Sequence, residues 1–198
     1  MPLIRLASRS PRRRELLAQI GIAFEPVAAD VDERPGDHEP APALVERLAR
    51  AKAEAGRALA GTGLPVLGAD TEVAVDGHVL GKPEDRAAAL AMLERLSGRE
   101  HEVWSGIALA TAAGIESEAV RTRVRMRAVG RDEMRAYWES GEPRGKAGAY
   151  AIQGRGAMFV ESIEGSYSNV VGLPLFETAR LLRRFGVDVW DGPGDEGP

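Results

Sequence analysis

Leu6-Ala7-Ser8-Arg9-Ser10-Pro11-Arg12-Arg13-Arg14-Glu15-Leu16-Leu17 changes character twice in a short space. It leaves an apolar run, residues 3–7 broken only by Arg5, which has the pattern of a short strand. Ser10 suits a helix N-cap. Pro11 suits the first helical position, where its missing N–H costs nothing. Leu16, Leu17 and Ile20 then recur at helical spacing, and Gly21 ends the helix. The stretch reads as strand, serine-rich turn, helix.

Its charges run against the helix. A helix N-terminus carries partial positive charge and favours Asp or Glu beside it. Here Arg12, Arg13 and Arg14 fill the first turn and Arg9 stands just before it. Any single arginine of this kind can simply point into water. The cluster, set among free helix N–H groups and the hydroxyls of Ser8 and Ser10, is a site for an anion such as a polyphosphate.

Beyond this stretch the composition sets limits. The 198 residues are 44% hydrophobic and 28% charged, an ordinary globular balance. The length suits one domain, single or two-lobed, with a substantial core. The net charge of −4 argues against general duplex nucleic-acid binding. The absence of cysteine excludes disulfides, a thiol nucleophile and zinc–thiolate ligation. His38, His78 and His101 are too scattered for a histidine metal site. There is neither a membrane-length apolar run nor a signal-peptide core at the N-terminus, so the expected location is cytoplasmic and no membrane partner is expected.

Outward along the chain, residues 22–27 read as a strand, and Asp30-Val31-Asp32-Glu33 begins an acidic, proline-rich loop. Its carboxylates either bind a cation or are solvated. Residues 41–60 form an amphipathic helix with Lys52 beside the apolar stripe of Leu44, Leu48, Ala51 and Ala55. In the strand over 64–75, Asp70 stands in apolar surroundings, which is costly unless it is partnered. It is either a catalytic or metal-binding carboxylate or an acid at a bulge. Gly68 and Ala69 leave room for a ligand there. Lys82 precedes a helix read from Pro83 over 83–96. Strands follow over 101–111 and 116–129. In the second, Arg121, Arg123, Arg125 and Arg127 alternate with apolar positions and read as a solvated face with cross-strand partners. A helix is read over 130–139. The glycine-dense stretch 141–156, with Lys146, Tyr150, Gln153 and Arg155, reads as a binding loop. A strand over 158–163, a polar loop over 165–169 and a helix over 174–184 complete the chain. Residues 191–198 read as a disordered tail beyond a unit spanning 1–190.

Five of these stretches together resemble the Maf family of nucleoside triphosphate pyrophosphatases. They are Leu6-Ala7-Ser8-x-Ser10-Pro11-Arg12-Arg13, Leu67-Gly68-Ala69-Asp70-Thr71, Lys82-Pro83, Lys146-Ala147-Gly148-Ala149-Tyr150-x-Ile152-Gln153-Gly154, and Gly165-Ser166-Tyr167-x-Asn169-Val170-Val171-Gly172-Leu173-Pro174. They fall in the family's order and extend to about Phe185. Thr71 and Gln153 are similar to the branch acting on dTTP and UTP. Arg9 departs from the family, which usually has a small residue there.

The resemblance implies an α/β fold: an elongated mixed sheet flanked by helices, with two lobes around a central cleft, related to inosine triphosphate pyrophosphatases. It implies hydrolysis of a nucleoside triphosphate to the monophosphate and pyrophosphate, a divalent cation (Mg²⁺, with Mn²⁺ as the alternative), and a homodimer. Ser8, Ser10, Arg12 and Arg13 would hold phosphates, with Lys52 and Lys82 adding charge. Asp70 would accept the proton, and Asp70 and Glu33 would hold the metal. Arg12, Thr71 and Gln153 would set specificity. The Gln153 amide can donate to O4 and accept from N3–H of uracil or thymine; turned over, it also meets cytosine. Two alternatives stand beside this reading. One is a 7-methyl-GTP pyrophosphatase of the sister branch, and the other a non-catalytic nucleotide-binding regulator of septum formation.

Overall fold

The computed structural model describes residues 3–61, 63–187 and Trp190. The expected disordered tail over 191–198 lies outside them. One seven-stranded mixed sheet organises the chain. The strand β1 (Ile4–Ala7) runs parallel between β2 (Phe24–Pro26) and β3 (Val66–Val75). From β3 the sheet turns antiparallel, through β5 (Glu100–Thr111), β6 (Gly114–Met126) and β7 (Val160–Glu164). The two-residue strand β4 (His78–Val79) folds back on β3 through Asp76-Gly77, both at positive φ, as a tight hairpin turn requires.

The opening stretch folds as strand, turn and helix. Ser10 caps α1 (Pro11–Gln19), its hydroxyl accepting from the Arg13 amide, with Pro11 at the first position. Helix α2 (Ala41–Ala60) lies directly on β3 and β5, because those strands offer glycine under it. A Cβ on Gly68 would strike the backbone of Ala49, and one on Gly106 the backbone of Val45. Ala49, Ala53, Ala108 and Ala110 fill the thin seam. The main core, from Ile4 and Leu6 through Leu93 and Ile107 to Leu182, joins the sheet to α1, α3 (Arg86–Leu96), α4 (Arg131–Glu139) and α6 (Leu175–Arg184).

Several boundaries differ from expectation; β6, for example, ends at Met126 rather than at residue 129. Helix α3 starts at Arg86 rather than Pro83, because the Asp85 carboxylate caps it by accepting from Ala88 N at 2.8 Å. The polar loop over 165–169 becomes a short helix, α5 (Tyr167–Val171), capped by Ser166. Residues Arg155–Phe159 form a 3₁₀ turn, so β7 begins at Val160. The arginine row of β6 is paired as read: Arg121 with Glu102, Arg123 with Glu164 and Arg125 with Glu161, while Arg127, just past the strand, meets Glu133.

Candidate functional site

A cleft of about 710 Å³ opens beyond the C-terminal end of β1 and along the middle of β3. Ser8, Ser10, Arg12, Arg13, Glu33, Lys52, Asp70, Thr71 and Lys82 all line it. Residues scattered over more than seventy positions are brought together because β1 and β3 are adjacent and parallel, and α2 crosses them.

At one end stands the serine–arginine turn. Ser8 Oγ accepts from Ser10 N and from Arg13 Nη1, each at 3.2 Å. Arg13 is buried, and its donors point inward. Nε reaches Gly172 O at 2.8 Å and Nη2 reaches Thr71 Oγ1 at 3.0 Å. Burial lowers the Arg13 pKa against the opposing pull of Asp70 and Glu33. Expected as a phosphate ligand, Arg13 spends three nitrogens bracing the site. Thr71, expected to set specificity, is engaged in the same brace, with Ser105 Oγ at 2.8 Å and Gly172 O at 3.2 Å. Arg12 is half-buried, and that burial lowers its pKa against the nearby Tyr137 and Glu142. Arg9 lines the cleft and lies 3.9 Å from Asp30, both exposed.

In the middle lies a compact charge cluster. Lys52 Nζ meets Asp70 Oδ1 and Glu33 Oε1, both at 2.6 Å. Lys82 Nζ meets the other Glu33 oxygen at 3.1 Å. Burial acts to raise Glu33, but the hydrogen bonds and charge of Lys52 and then Lys82 outweigh it and hold it at about 2. Glu33 is therefore an anion at neutral pH. Asp70 is 6% exposed, and its Oδ2 has no hydrogen-bond partner among the described residues. Glu72, two residues along β3, is raised to about 7 by burial and by the charge of Asp70.

This donor set fits a divalent cation. The orphaned Asp70 Oδ2 is a buried acceptor awaiting a positive partner, and Glu33 is an ionised oxygen donor held nearby by the same lysine. Both are hard ligands of the kind Mg²⁺ prefers. Among the described residues, no three His, Cys, Asp or Glu groups stand in metal-binding geometry. Substrate phosphates would therefore have to complete the shell, as Mg²⁺ commonly allows.

Val103, Tyr150, Ala151 and Ile152 supply an uncharged part of the lining, with Lys146 close by in sequence. Tyr150 is fixed by His101 on β5, whose Nε2 lies 2.8 Å from the phenol oxygen. Gln153, the expected reader of the base, is exposed and falls outside the cleft lining, while its neighbour Ile152 lies within it.

Sequence reasoning passed over His101, Glu142 and Tyr137. Glu142 carried a signal, being the one carboxylate in the glycine-dense stretch 141–156. His101 carried none, because its partner lies 49 residues away.

Known proteins align with the chain over nearly its whole length. A dTTP/UTP pyrophosphatase of Methylobacillus flagellatus is 55% identical over 190 residues, covering 96% of each chain. A dTTP/UTP pyrophosphatase of Myxococcus xanthus is 56% identical over 185 residues, covering 93% of each. Among solved structures, the Ham1 protein of Staphylococcus aureus overlaps 62% of this chain and 71% of its own, at 14% identity and a TM-score of 0.47. Residues 3–185 match the family model described as Maf-like protein, and with relatives of this closeness the chain belongs to the Maf-like family.

Proposed function

We propose that this chain is a nucleoside triphosphate pyrophosphatase that hydrolyses dTTP and UTP to the monophosphate and pyrophosphate. The observation that carries the reading is Asp70. It is a buried carboxylate with one oxygen held by Lys52 and the other free, in a cleft whose neighbouring wall is a serine–arginine helix start. The substrate class is that printed for the relatives in Methylobacillus flagellatus and Myxococcus xanthus. The catalytic unit is a single two-lobed domain over 1–190, supported by one core cluster running from Ile4 to Val187.

The residues divide the work along the cleft. The amides at the start of α1, with Ser8, Ser10, Arg12 and Arg13, form the phosphate end. Arg13 acts mainly by fixing Ser8 and Thr71. Lys52 and Lys82 add positive charge at the centre. Asp70 Oδ2 accepts the proton of the attacking water. A new P–O bond forms to that water's oxygen, the bridging bond between the α- and β-phosphates breaks, and pyrophosphate departs. Lys52 keeps Asp70 aimed by holding its Oδ1. A divalent cation, Mg²⁺ or Mn²⁺, would be held by Asp70 and Glu33, and when bound it supplies positive charge against the phosphate oxygens. Thr71 and Gln153 contribute to pyrimidine preference, Thr71 through the brace and Gln153 from the rim. The working form is a cytoplasmic homodimer with no nucleic-acid or membrane partner. Among the described residues no helix is long and apolar enough to cross a membrane.

The test is a substrate panel with Mg²⁺: dTTP, UTP, CTP, dATP, dGTP, ITP and 7-methyl-GTP, with products separated. Monophosphate plus pyrophosphate from dTTP and UTP, with little from purines, supports the reading. Release of single phosphates, or preference for 7-methyl-GTP, overturns it. Asp70→Asn should nearly abolish turnover while leaving nucleotide binding measurable.

A further inference from the structure

The loop that carries Ala151 and Ile152 into the cleft has little secondary structure of its own: Gly154 N reaches Ala151 O at 3.4 Å, and the 3₁₀ turn begins at Arg155. A carboxylate–phenol pair supplies the rest of its support. Glu142 Oε1 accepts from Gly156 N at 3.0 Å and from Tyr137 Oη at 2.7 Å, while Glu142 Oε2 accepts from Arg155 N at 2.9 Å. Tyr137 Oη, while donating its hydrogen bond to Glu142, accepts from Ala151 N at 3.0 Å. Both ends of the loop are thus tied to the same two side chains. The glycines belong to this design. A Cβ on Gly154 would collide with the Glu142 carboxyl, and one on Gly156 would come within 2.6 Å of Tyr137 Oη. Tyr137 is itself seated edge-on against Phe159, with ring centroids 4.9 Å apart.

Ala151 and Ile152, inside the tied loop, line the cleft, as does Arg12. The cations of the lining are Arg9, Arg12, Arg13, Lys52, Lys82 and Lys146, whereas residues 150–152 are an uncharged stretch of it, so a nucleotide lies with its phosphates toward the cations and its base against residues 150–152.

From this juxtaposition we propose that Glu142, through Tyr137, is a positioning residue for nucleobase selection. It sets the wall that Ala151 and Ile152 present to the cleft. Glu142 touches neither the phosphates nor the reacting atoms. The proposal rests on the reading of the cleft as a nucleoside triphosphate site. The backbone amides that approach Glu142 outweigh the effect of burial and keep its pKa below the usual carboxylate range, so the tie persists across neutral pH.

Two variants test it. Glu142→Gln keeps the size but offers one acceptor oxygen where three donors converge. Tyr137→Phe removes only the hydroxyl that joins Glu142 to Ala151 and keeps the ring against Phe159. Amide hydrogen exchange of residues 151–156 is measured first, without nucleotide. Exchange at Ala151, Arg155 and Gly156 should rise at least tenfold or so in Glu142→Gln, and at Ala151 in Tyr137→Phe, while the exchange of β3 and α2 stays as in the parent. KM for dTTP should then rise about tenfold with kcat within roughly threefold, and the ratio of kcat/KM for dTTP over CTP and dGTP should shrink. Inhibition by inorganic pyrophosphate, which probes the phosphate end alone, should be unchanged.

Unaltered exchange at these amides in both variants overturns the tie. Loosened exchange with an unchanged KM and unchanged base ratio overturns the role in selection. A fall in kcat together with weaker pyrophosphate inhibition would assign Glu142 to the chemistry and overturn the proposal as well. If the parent turned over no nucleotide, the proposed function would fall, while the exchange data would still decide whether Glu142 holds the loop.

Discussion

Lys52 Nζ lies 2.6 Å from Asp70 Oδ1, with both side chains more than nine-tenths buried. A buried ion pair of this kind adds little net stability as a unit, but losing one member leaves a bare charge in a poorly solvated place. Lys52→Met should therefore destabilise the protein by about 3–5 kcal/mol in urea unfolding. Adding Asp70→Asn to the same chain should restore most of that loss. Equal and additive losses would show that the two groups do not act as a pair.

The approach of α2 to the sheet makes a second, geometric prediction. Gly106→Ala places a methyl against the Val45 backbone, whereas Gly130→Ala meets nothing within 4 Å at an ordinary φ. The first should cost about 1–3 kcal/mol by overpacking, and the second close to nothing. Because the displaced helix carries Lys52, Gly106→Ala should also lose activity under conditions where it is still fully folded. Thermal melts and turnover at a fixed low temperature separate the two effects.

His101 predicts an acid limb in the stability curve. Burial pushes its pKa down from 6.5 to about 4, so the folded protein holds it neutral. Between those values the unfolded chain binds a proton that the folded chain refuses, and stability falls as pH drops from about 6.5 to about 4. Above that window His101 makes no pH-dependent contribution. The accumulated loss is on the order of 3 kcal/mol, at about 1.4 kcal/mol per pKa unit. His101→Gln, which keeps a polar partner for Tyr150 but does not titrate, should flatten that limb in urea titrations run at each pH. An unchanged slope would assign the limb to other groups.

Arg13→Lys keeps the charge but not the fork. One ammonium does not serve Ser8, Thr71 and Gly172 O at once. KM for dTTP should rise roughly tenfold as Ser8 and Thr71 lose their brace. Unchanged kinetics would mean that the guanidinium geometry is dispensable.

How much of this was legible beforehand depended on range. The first strand, turn and helix were readable because their signals are local: Ser10 as cap, Pro11 behind it and leucines at helical spacing. The long helix over 41–60 was readable from its stripe, and the paired arginine face of β6 from strict alternation. Asp70 stood out because a lone carboxylate in an apolar strand asks for a partner, but that partner, Lys52 on α2, is fixed by glycines that bring helix and sheet together. Local chemistry also explains the late start of α3, where the Asp85 cap overrides the proline signal two residues earlier. The inward turn of Arg13 was not legible, since its acceptor on Gly172 lies 159 residues away. The outward placement of Gln153 escaped for a similar reason: it follows from how Glu142 and Tyr137 hold the flanking backbone.

The bond from Arg13 to the Gly172 carbonyl makes the phosphate loop depend on a distant part of the polypeptide. Ser8, Ser10 and Thr71 already hold the loop locally and across the sheet, but Arg13 Nε finds its acceptor only when the turn after α5 folds onto it. The central charges, Glu33, Lys52, Asp70 and Lys82, all precede that turn by more than eighty residues. The charge of the cleft and part of the frame that aligns it are thus supplied by separate parts of the polypeptide, and a substitution around residue 172 can disturb the site without touching a single charged group.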